Sequence, residues 1–166
     1  MRNLLLVLLL TAAASASGTE APSPYAPLRF LVGHCWKGEL PGGRGTDTHC
    51  FSHIYGENFV RDRHTVRAEA HPDYLGESIY YWDGVSRKLK YLYLESDGGS
   101  SEGALESGGD ALVFPPTEHQ QDGKAQTYRS RWKKSGENSY EVLTEFRKGD
   151  GWTLGWKVHM ERVAEK

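Results

Sequence analysis

A turn signal recurs about every ten residues from position 34 to position 163. Each signal combines glycine with aspartate, asparagine, glutamate or proline, and short runs of alternating apolar and polar residues lie between the signals. Regular alternation of strand and turn is typical of an antiparallel meander that closes into a barrel or packs as a sandwich. We therefore predict an all-β fold, a single up-and-down antiparallel β-barrel of about ten strands. The turn signals lie at 41–43, 56–58, 83–84, 97–99, 108–110, 122–123, 136–138 and 149–151.

The same turn signals give the strand boundaries. Because proline lacks a backbone N–H, Pro115-Pro116 is predicted to end the seventh strand, and the stretch after it, which includes His119, is predicted to be a loop. A short helical turn at 28–32 is predicted to plug one end of the barrel. The predicted strands cover residues 34–40, 46–54, 59–68, 74–82, 88–95, 101–106, 111–114, 125–134, 139–147 and 152–163.

The first residues have the order of a secretory signal. Arg2 supplies a positive start, residues 4–10 an apolar run, and residues 14–16 a small-residue cleavage site. We predict a signal peptide at 1–16, an extended lead-in at 17–27 and the barrel domain at 28–166. The protein is thus expected to be exported, to a bacterial periplasm or to the medium.

Charge and hydropathy exclude some classes of partner. The chain holds 20 Lys and Arg against 22 Asp and Glu, and the two signs alternate instead of forming a patch. This pattern argues against nucleic acid as a partner. The apolar run of the signal is too short to span a bilayer, and no later segment is apolar enough, so membrane insertion is not expected.

The two cysteines of the chain are predicted to form a disulfide. If Gly42-Gly43 is the two-residue turn of the first hairpin, Cys35 lies directly opposite Cys50, at a separation that suits the bond. An exported protein meets an oxidising environment, which favours a disulfide over free thiols or a metal-thiolate pair.

Alternation within the strands predicts which side chains face the interior. Charged residues mark the outer face of each strand, and the opposite face is aromatic with scattered polar groups. Such a mixture is typical of a ligand cavity, and a filled core with paired tyrosine hydroxyls is the alternative. In the last strand, Trp152 and Leu154 are predicted to point inward with Trp156. The predicted ligand-binding residues are Trp36, His49, His64, Tyr91, Tyr93, Tyr128, Trp132, Tyr140 and Trp156.

Histidines supply a second candidate site. A turn at 56–57 places His49 opposite His64, and the first hairpin puts His34 on the same inward face. Asp62 shares the phase of His64. Imidazoles and a carboxylate at cross-strand distances of roughly 5 Å are suitable ligands for Zn²⁺ or another divalent metal. The alternative is that these groups only hydrogen-bond within a polar interior.

The segment around the first strand resembles the opening of calycin barrels, the group of lipocalins, fatty-acid-binding proteins and nitrobindin-like proteins. The resemblance rests on Gly33 and Trp36 and on Arg162 near the C-terminus. It implies that Trp36 packs across a closed end and that Arg162 covers it. The resemblance to nitrobindin-like barrels would also imply a haem-ligating histidine near the C-terminus. The alternation of the last strand predicts that the side chain of His159 points outward, so haem is not expected.

Three functions are compatible with these patterns. The first is non-catalytic binding of a small, partly apolar molecule inside the barrel, with no cofactor. The second is metal binding, with metal-dependent catalysis as one form of it, by the cluster of His34, His49, His64 and Asp62. The third is a filled structural barrel that acts through its loops. Glu77 and Glu95 form a candidate inward carboxylate pair, but no nucleophile-elbow sequence is present, and the sequence favours no enzyme class.

Overall fold

The computed structural model describes residues 23–69 and 71–164, and within these ranges ten strands form one closed barrel. Each strand pairs antiparallel with its neighbours in the chain, and β1 closes the barrel against β10. The predicted all-β up-and-down barrel is confirmed, and it is compatible with a calycin-like architecture. The strands are β1 His34–Glu39, β2 Thr46–Ile54, β3 Phe59–Arg67, β4 Tyr74–Asp83, β5 Lys88–Glu95, β6 Ser100–Gly108, β7 Ala111–Gln121, β8 Lys124–Lys134, β9 Ser139–Lys148 and β10 Gly151–Val163.

The predicted signal peptide and the first part of the lead-in lie outside the described residues. Among the residues that are described, no helix has the length and apolar character to cross a bilayer.

One end of the barrel, here called the closed end, is plugged by the segment before β1. A 3₁₀ turn at Ala26–Leu28 opens this segment, and the side chains of Leu28 and Leu31 are fully buried. The indole N–H of Trp36 donates to the Leu31 carbonyl oxygen at 3.3 Å, and the Arg162 guanidinium lies 5.3 Å from the centre of the indole. The expected closed-end arrangement of Trp36 and Arg162 is confirmed.

Interlocking aromatic rings fill the half of the bore next to this plug. Trp36 meets Tyr140 edge to face at 5.1 Å, and Trp132 packs on Tyr140 at 5.8 Å and on Phe114 at 4.9 Å. Rings at these distances and angles add to the free energy gained by burying their area. The opposite end, where β2 begins and β3 ends, is called the open end below.

The seventh strand does not end at Pro115-Pro116, as the sequence analysis predicted. β7 continues to Gln121, because the two prolines occupy an irregular stretch in which pairing with β8 is interrupted between Phe114 and Thr117. A bulge tolerates residues without a backbone N–H. His119 therefore lies on a strand and not in a loop.

The inward phase predicted for the last strand is correct only after Gly155. The ladder with β9 shifts between Leu154 and Trp156, which leaves Gly155 as an extra residue. One extra residue reverses the faces, because side chains alternate along a strand. Trp156 faces the bore as predicted, whereas Leu154 is exposed and Trp152 lies outside, under the guanidinium of Arg129 at 4.4 Å.

The first hairpin has the predicted register. Cys35 is paired with Cys50, their Cα atoms are 4.1 Å apart, and the two residues form a disulfide. The bond joins β1 and β2 on the outer face, opposite the pair formed by Trp36 and His49.

Removal of this bond is expected to destabilise the barrel. The cysteines are 15 residues apart, and closing a loop of that size in the unfolded chain is worth about 3 kcal/mol. The double substitution of Cys35 and Cys50 by alanine should lower the free energy of unfolding in urea by about that amount. Ser52→Ala, on the outer face of the same strand, is the control. A loss no larger than that of the control would contradict the stabilising role.

Candidate metal centre

Strand pairing gathers four ionisable side chains on the inner face of β2 and β3. His49 is paired with His64, Phe51 with Asp62, and Asp47 with Val66, so the predicted register of this hairpin is confirmed. The two imidazole rings stack at 4.2 Å with an angle of 12° between their planes. Asp47 and Asp62 flank this stack from the two directions along the strands.

His49 lies between two carboxylates. Its Nδ1 is 2.7 Å from Asp62 Oδ2, and its Nε2 is 3.3 Å from Asp47 Oδ2. Burial alone would lower the pKa of His49, but the charges of Asp62 and Asp47 raise it well above its usual range. Burial would raise the pKa of Asp47, yet His49 and His64 hold it well below its usual range. Without a metal, the two carboxylates therefore favour the imidazolium form of His49, in which both ring nitrogens donate.

The second imidazole is held less completely. His64 Nε2 lies 2.7 Å from Asp47 Oδ1 as an ion-pair contact, but the two atoms are not aligned for a hydrogen bond, and neither atom has a hydrogen-bond partner among the described residues. On the other side of the ring, Nδ1 lies 3.4 Å from the Tyr93 hydroxyl. Buried polar atoms without an aligned hydrogen bond are uncommon, and an ion between these two atoms would align both.

Three of these side chains offer donors to one point. One ligand atom each from Asp47, His49 and His64 lies within 4.8 Å of the other two. Two imidazole nitrogens and one carboxylate oxygen are a ligand set that zinc accepts. Asp62 does not belong to this set, but it holds His49 Nδ1 from behind, as the outer carboxylates of many metal sites do.

The structure separates the metal ligands expected from the sequence. His49, His64 and Asp62 come together. His34 does not join them, because it lies two residues nearer the closed end than Trp36, the residue paired with His49, and is itself paired with Phe51. The His34 ring meets the edge of Trp36 at 6.2 Å. Sequence reasoning missed Asp47, although it shares the inward phase of His49 two residues away.

The residues predicted to line a ligand cavity fall into two groups. Trp36, Tyr91, Trp132 and Tyr140 are buried within the packed core. The other predicted aromatic residues, Tyr93, Tyr128 and Trp156, are half-buried and lie nearer the open end.

A chain of hydrogen bonds continues from His64 across the open end. The Tyr93 and Tyr74 hydroxyl oxygens are 2.6 Å apart, Tyr74 donates to Glu95, and the other Glu95 oxygen is 3.1 Å from His119 Nε2. Burial raises the pKa of both tyrosines, so they remain neutral phenols. His119 was predicted to lie in a loop, and this prediction is wrong because β7 carries it into contact with Glu95.

The predicted carboxylate pair does not form. Glu77 is paired with Arg63 and Leu94 on the outer face, one residue out of phase with the inward Glu95.

Two clefts lie outside the bore. A cleft of about 650 Å³ runs along the outer side of β6 and β7, with Glu102, Glu106 and Glu118 on its walls, and one of about 390 Å³ borders the 3₁₀ turn. Neither is lined by a residue of the metal-donor set or by a predicted ligand-binding residue.

Comparison of the sequence with protein-family models and with curated proteins gives no match. The functional argument therefore depends on the barrel and on this cluster.

The ion pairs of His49 predict how the stability of the metal-free protein changes with pH. The raised pKa of His49 contributes stability that is complete below its ordinary value, about 6.5, and is lost as the pH rises through the folded value. The lowered pKa of Asp47 contributes stability that is lost as the pH falls below about 3.8. In chelator, the difference in unfolding free energy between the native chain and His49→Gln should therefore be largest between about pH 4 and 6.5.

The measurement is urea unfolding at a series of pH values with both proteins. A difference that does not decline towards pH 9 would contradict the imidazolium assignment.

Proposed function

We propose that the protein binds a divalent transition-metal ion, best satisfied by Zn²⁺, inside the barrel through Asp47, His49 and His64. The observation that carries the proposal is the convergence of the three donors within 4.8 Å, two of whose atoms are buried without an aligned hydrogen-bond partner. A cation placed among them would satisfy Asp47 Oδ1 and His64 Nε2 together.

The surroundings of the two imidazoles support metal binding. A histidine that ligates a metal usually donates its other ring N–H to a carboxylate, a carbonyl or another polar group. Asp62 stands in that position for His49 at 2.7 Å, and the Tyr93 hydroxyl stands near the corresponding nitrogen of His64. Both rings would then present Nε2 to the ion. Binding at neutral pH would release the proton that His49 carries in the metal-free protein.

The donor set discriminates among metals. Ca²⁺ and Mg²⁺ prefer oxygen ligands only, whereas two imidazoles with one carboxylate suit zinc and its neighbours in the first transition series. Three protein ligands leave a further coordination position open, as in zinc sites that bind an exogenous group.

Zinc titration of the metal-free, tag-free protein by calorimetry tests the proposal. We expect one equivalent to bind, His64→Ala and Asp47→Asn to weaken binding by about 100-fold or more, and Asp62→Asn to weaken it by about 10- to 100-fold. His34→Ala is the matched control, because it removes an inward imidazole from the neighbouring strand β1, outside the donor set. It should bind zinc like the native chain.

Absence of zinc binding, or equal binding by the native chain and His64→Ala, would refute the metal centre. The four side chains would then be a buried ion-pair network of a structural barrel.

We also propose that the chain is exported, with cleavage after Ala16, and that its barrel belongs to the calycin group. The disulfide supports an oxidising location, and the closed-end contact of Arg162 with Trp36 supports the group. The mass of the protein recovered from a secreting bacterial host should correspond to residues 17–166 with both cysteines oxidised. Recovery of the full-length chain from the cytoplasm would contradict export.

A further inference from the structure

The three side chains of the donor set remain in contact with solvent, and the carboxylate behind them does not. Asp47, His49 and His64 keep 13%, 11% and 15% of their side-chain surface exposed, whereas Asp62 keeps 2%. All four side chains face the bore. Solvent therefore reaches part of these side chains from inside the barrel, through the open end, although Asp47 Oδ1 and His64 Nε2 themselves are buried against each other. A ligand that approaches a bound ion must come from this side.

Aromatic rings line the other side of the same space. In the closed order of strands, β8 lies five strands away from β3, which places Tyr128 across the bore from His64, whereas β9 and β10 lie between β8 and the β1–β2 side of the barrel. Phe146 and Trp156 meet edge to face at 5.3 Å, and Tyr128 is paired with Phe146. These rings face inward and yet are half-buried, in contrast to the sealed rings of the closed half.

The surface of the hydrophobic core that faces the open end is apolar. Leu40, Tyr93 and Trp156 are partly buried and pack against the core cluster from the open end. The open end is thus a cup with an apolar floor, an aromatic wall on β8 to β10 and the metal donors on β2 and β3. Sites for small molecules typically combine such an apolar surface with a few polar groups that fix orientation.

We propose that this cup binds a small molecule with an aromatic body and an anionic oxygen donor, the oxygen completing the metal coordination and the body packing on Phe146 and Trp156. The inference rests on the proposed metal function and names the ligand class of that site. A carboxylate or hydroxamate has the required chemistry, because it replaces water at a divalent ion. The phenols of Tyr74 and Tyr93 remain neutral, and the Glu95 carboxylate beside them is held by Tyr74 and His119.

Cobalt-loaded protein and two hydroxamates of different size test this inference. Co²⁺ bound by two imidazoles and a carboxylate absorbs visible light, and a new oxygen ligand changes the spectrum. Benzohydroxamate should bind about tenfold more tightly than acetohydroxamate, since its ring buries additional apolar area on the cup. Trp156→Ala should reduce this preference to about threefold or less, with cobalt affinity and acetohydroxamate binding unchanged.

Trp152→Ala is the matched control, because Trp152 lies on the same strand but on the outer face, against Arg129. It should keep the preference of the native protein. Phe146→Leu provides a second test of the aromatic wall and should also reduce the preference if Trp156→Ala does not fold.

The possible failures are distinct. If cobalt binds but neither hydroxamate changes the spectrum, or both bind equally to the native protein, the ligand inference is overturned and the metal centre stands. A preference that survives both Trp156→Ala and Phe146→Leu also overturns it. If cobalt itself does not bind, the proposed metal function and the ligand inference fail together.

Discussion

The register between β1, β2 and β3 decides which side chains the bore receives. Side chains alternate along a strand, so a slip of one residue in β2 would turn Asp47 and His49 outward and bring their neighbours inside. The disulfide between Cys35 and Cys50 holds this register on the outer face, directly behind the pair of Trp36 and His49. The stacked imidazoles, their carboxylates and the closed-end tryptophan all depend on the same pairing.

The two halves of the bore differ in what stabilises them. The closed half buries interlocking aromatic rings, and apolar burial of this kind is the main favourable contribution to folding. The middle of the bore instead holds Asp47, His49, Asp62 and His64, which lose hydration when buried. A buried ion pair often contributes little net stability compared with apolar residues of similar volume. The proposed metal binding would give these polar groups a role that stability alone does not, and the misaligned pair of Asp47 Oδ1 and His64 Nε2 is consistent with that proposal.

The sequence was sufficient for those features that depend on short-range geometry. Turn residues located nearly every strand, and a two-residue turn at Gly42-Gly43 implied the pairing of Cys35 with Cys50 and of Trp36 with His49. Together with the turn at 56–57, these pairings implied the shared inward face of His49, His64 and Asp62. The phase that identified His49 also applied to Asp47, so this residue was within reach of the same reasoning.

Other features required the folded structure because an extra residue resets the alternation. Gly155 shifts β10 against β9, and this shift moves Trp152 and Leu154 to the outer face. Pro115-Pro116 interrupts pairing but does not end β7, which carries His119 into the bore. The alternation of side chains also does not show how far along the barrel axis each inward side chain lies. It therefore placed His34 in the metal cluster and did not separate the packed rings, such as Tyr140, from the half-buried ones, such as Trp156.

Crystallography of the zinc-soaked protein, with anomalous diffraction recorded above and below the zinc absorption edge, tests the metal centre most directly. The account predicts a single strong anomalous peak inside the barrel, about 2.0 to 2.2 Å from His49 Nε2, His64 Nε2 and an Asp47 carboxylate oxygen, with Asp62 still bonded to His49 Nδ1. An interior without an anomalous peak, in which His49 keeps its contacts to both Asp47 and Asp62, would contradict it.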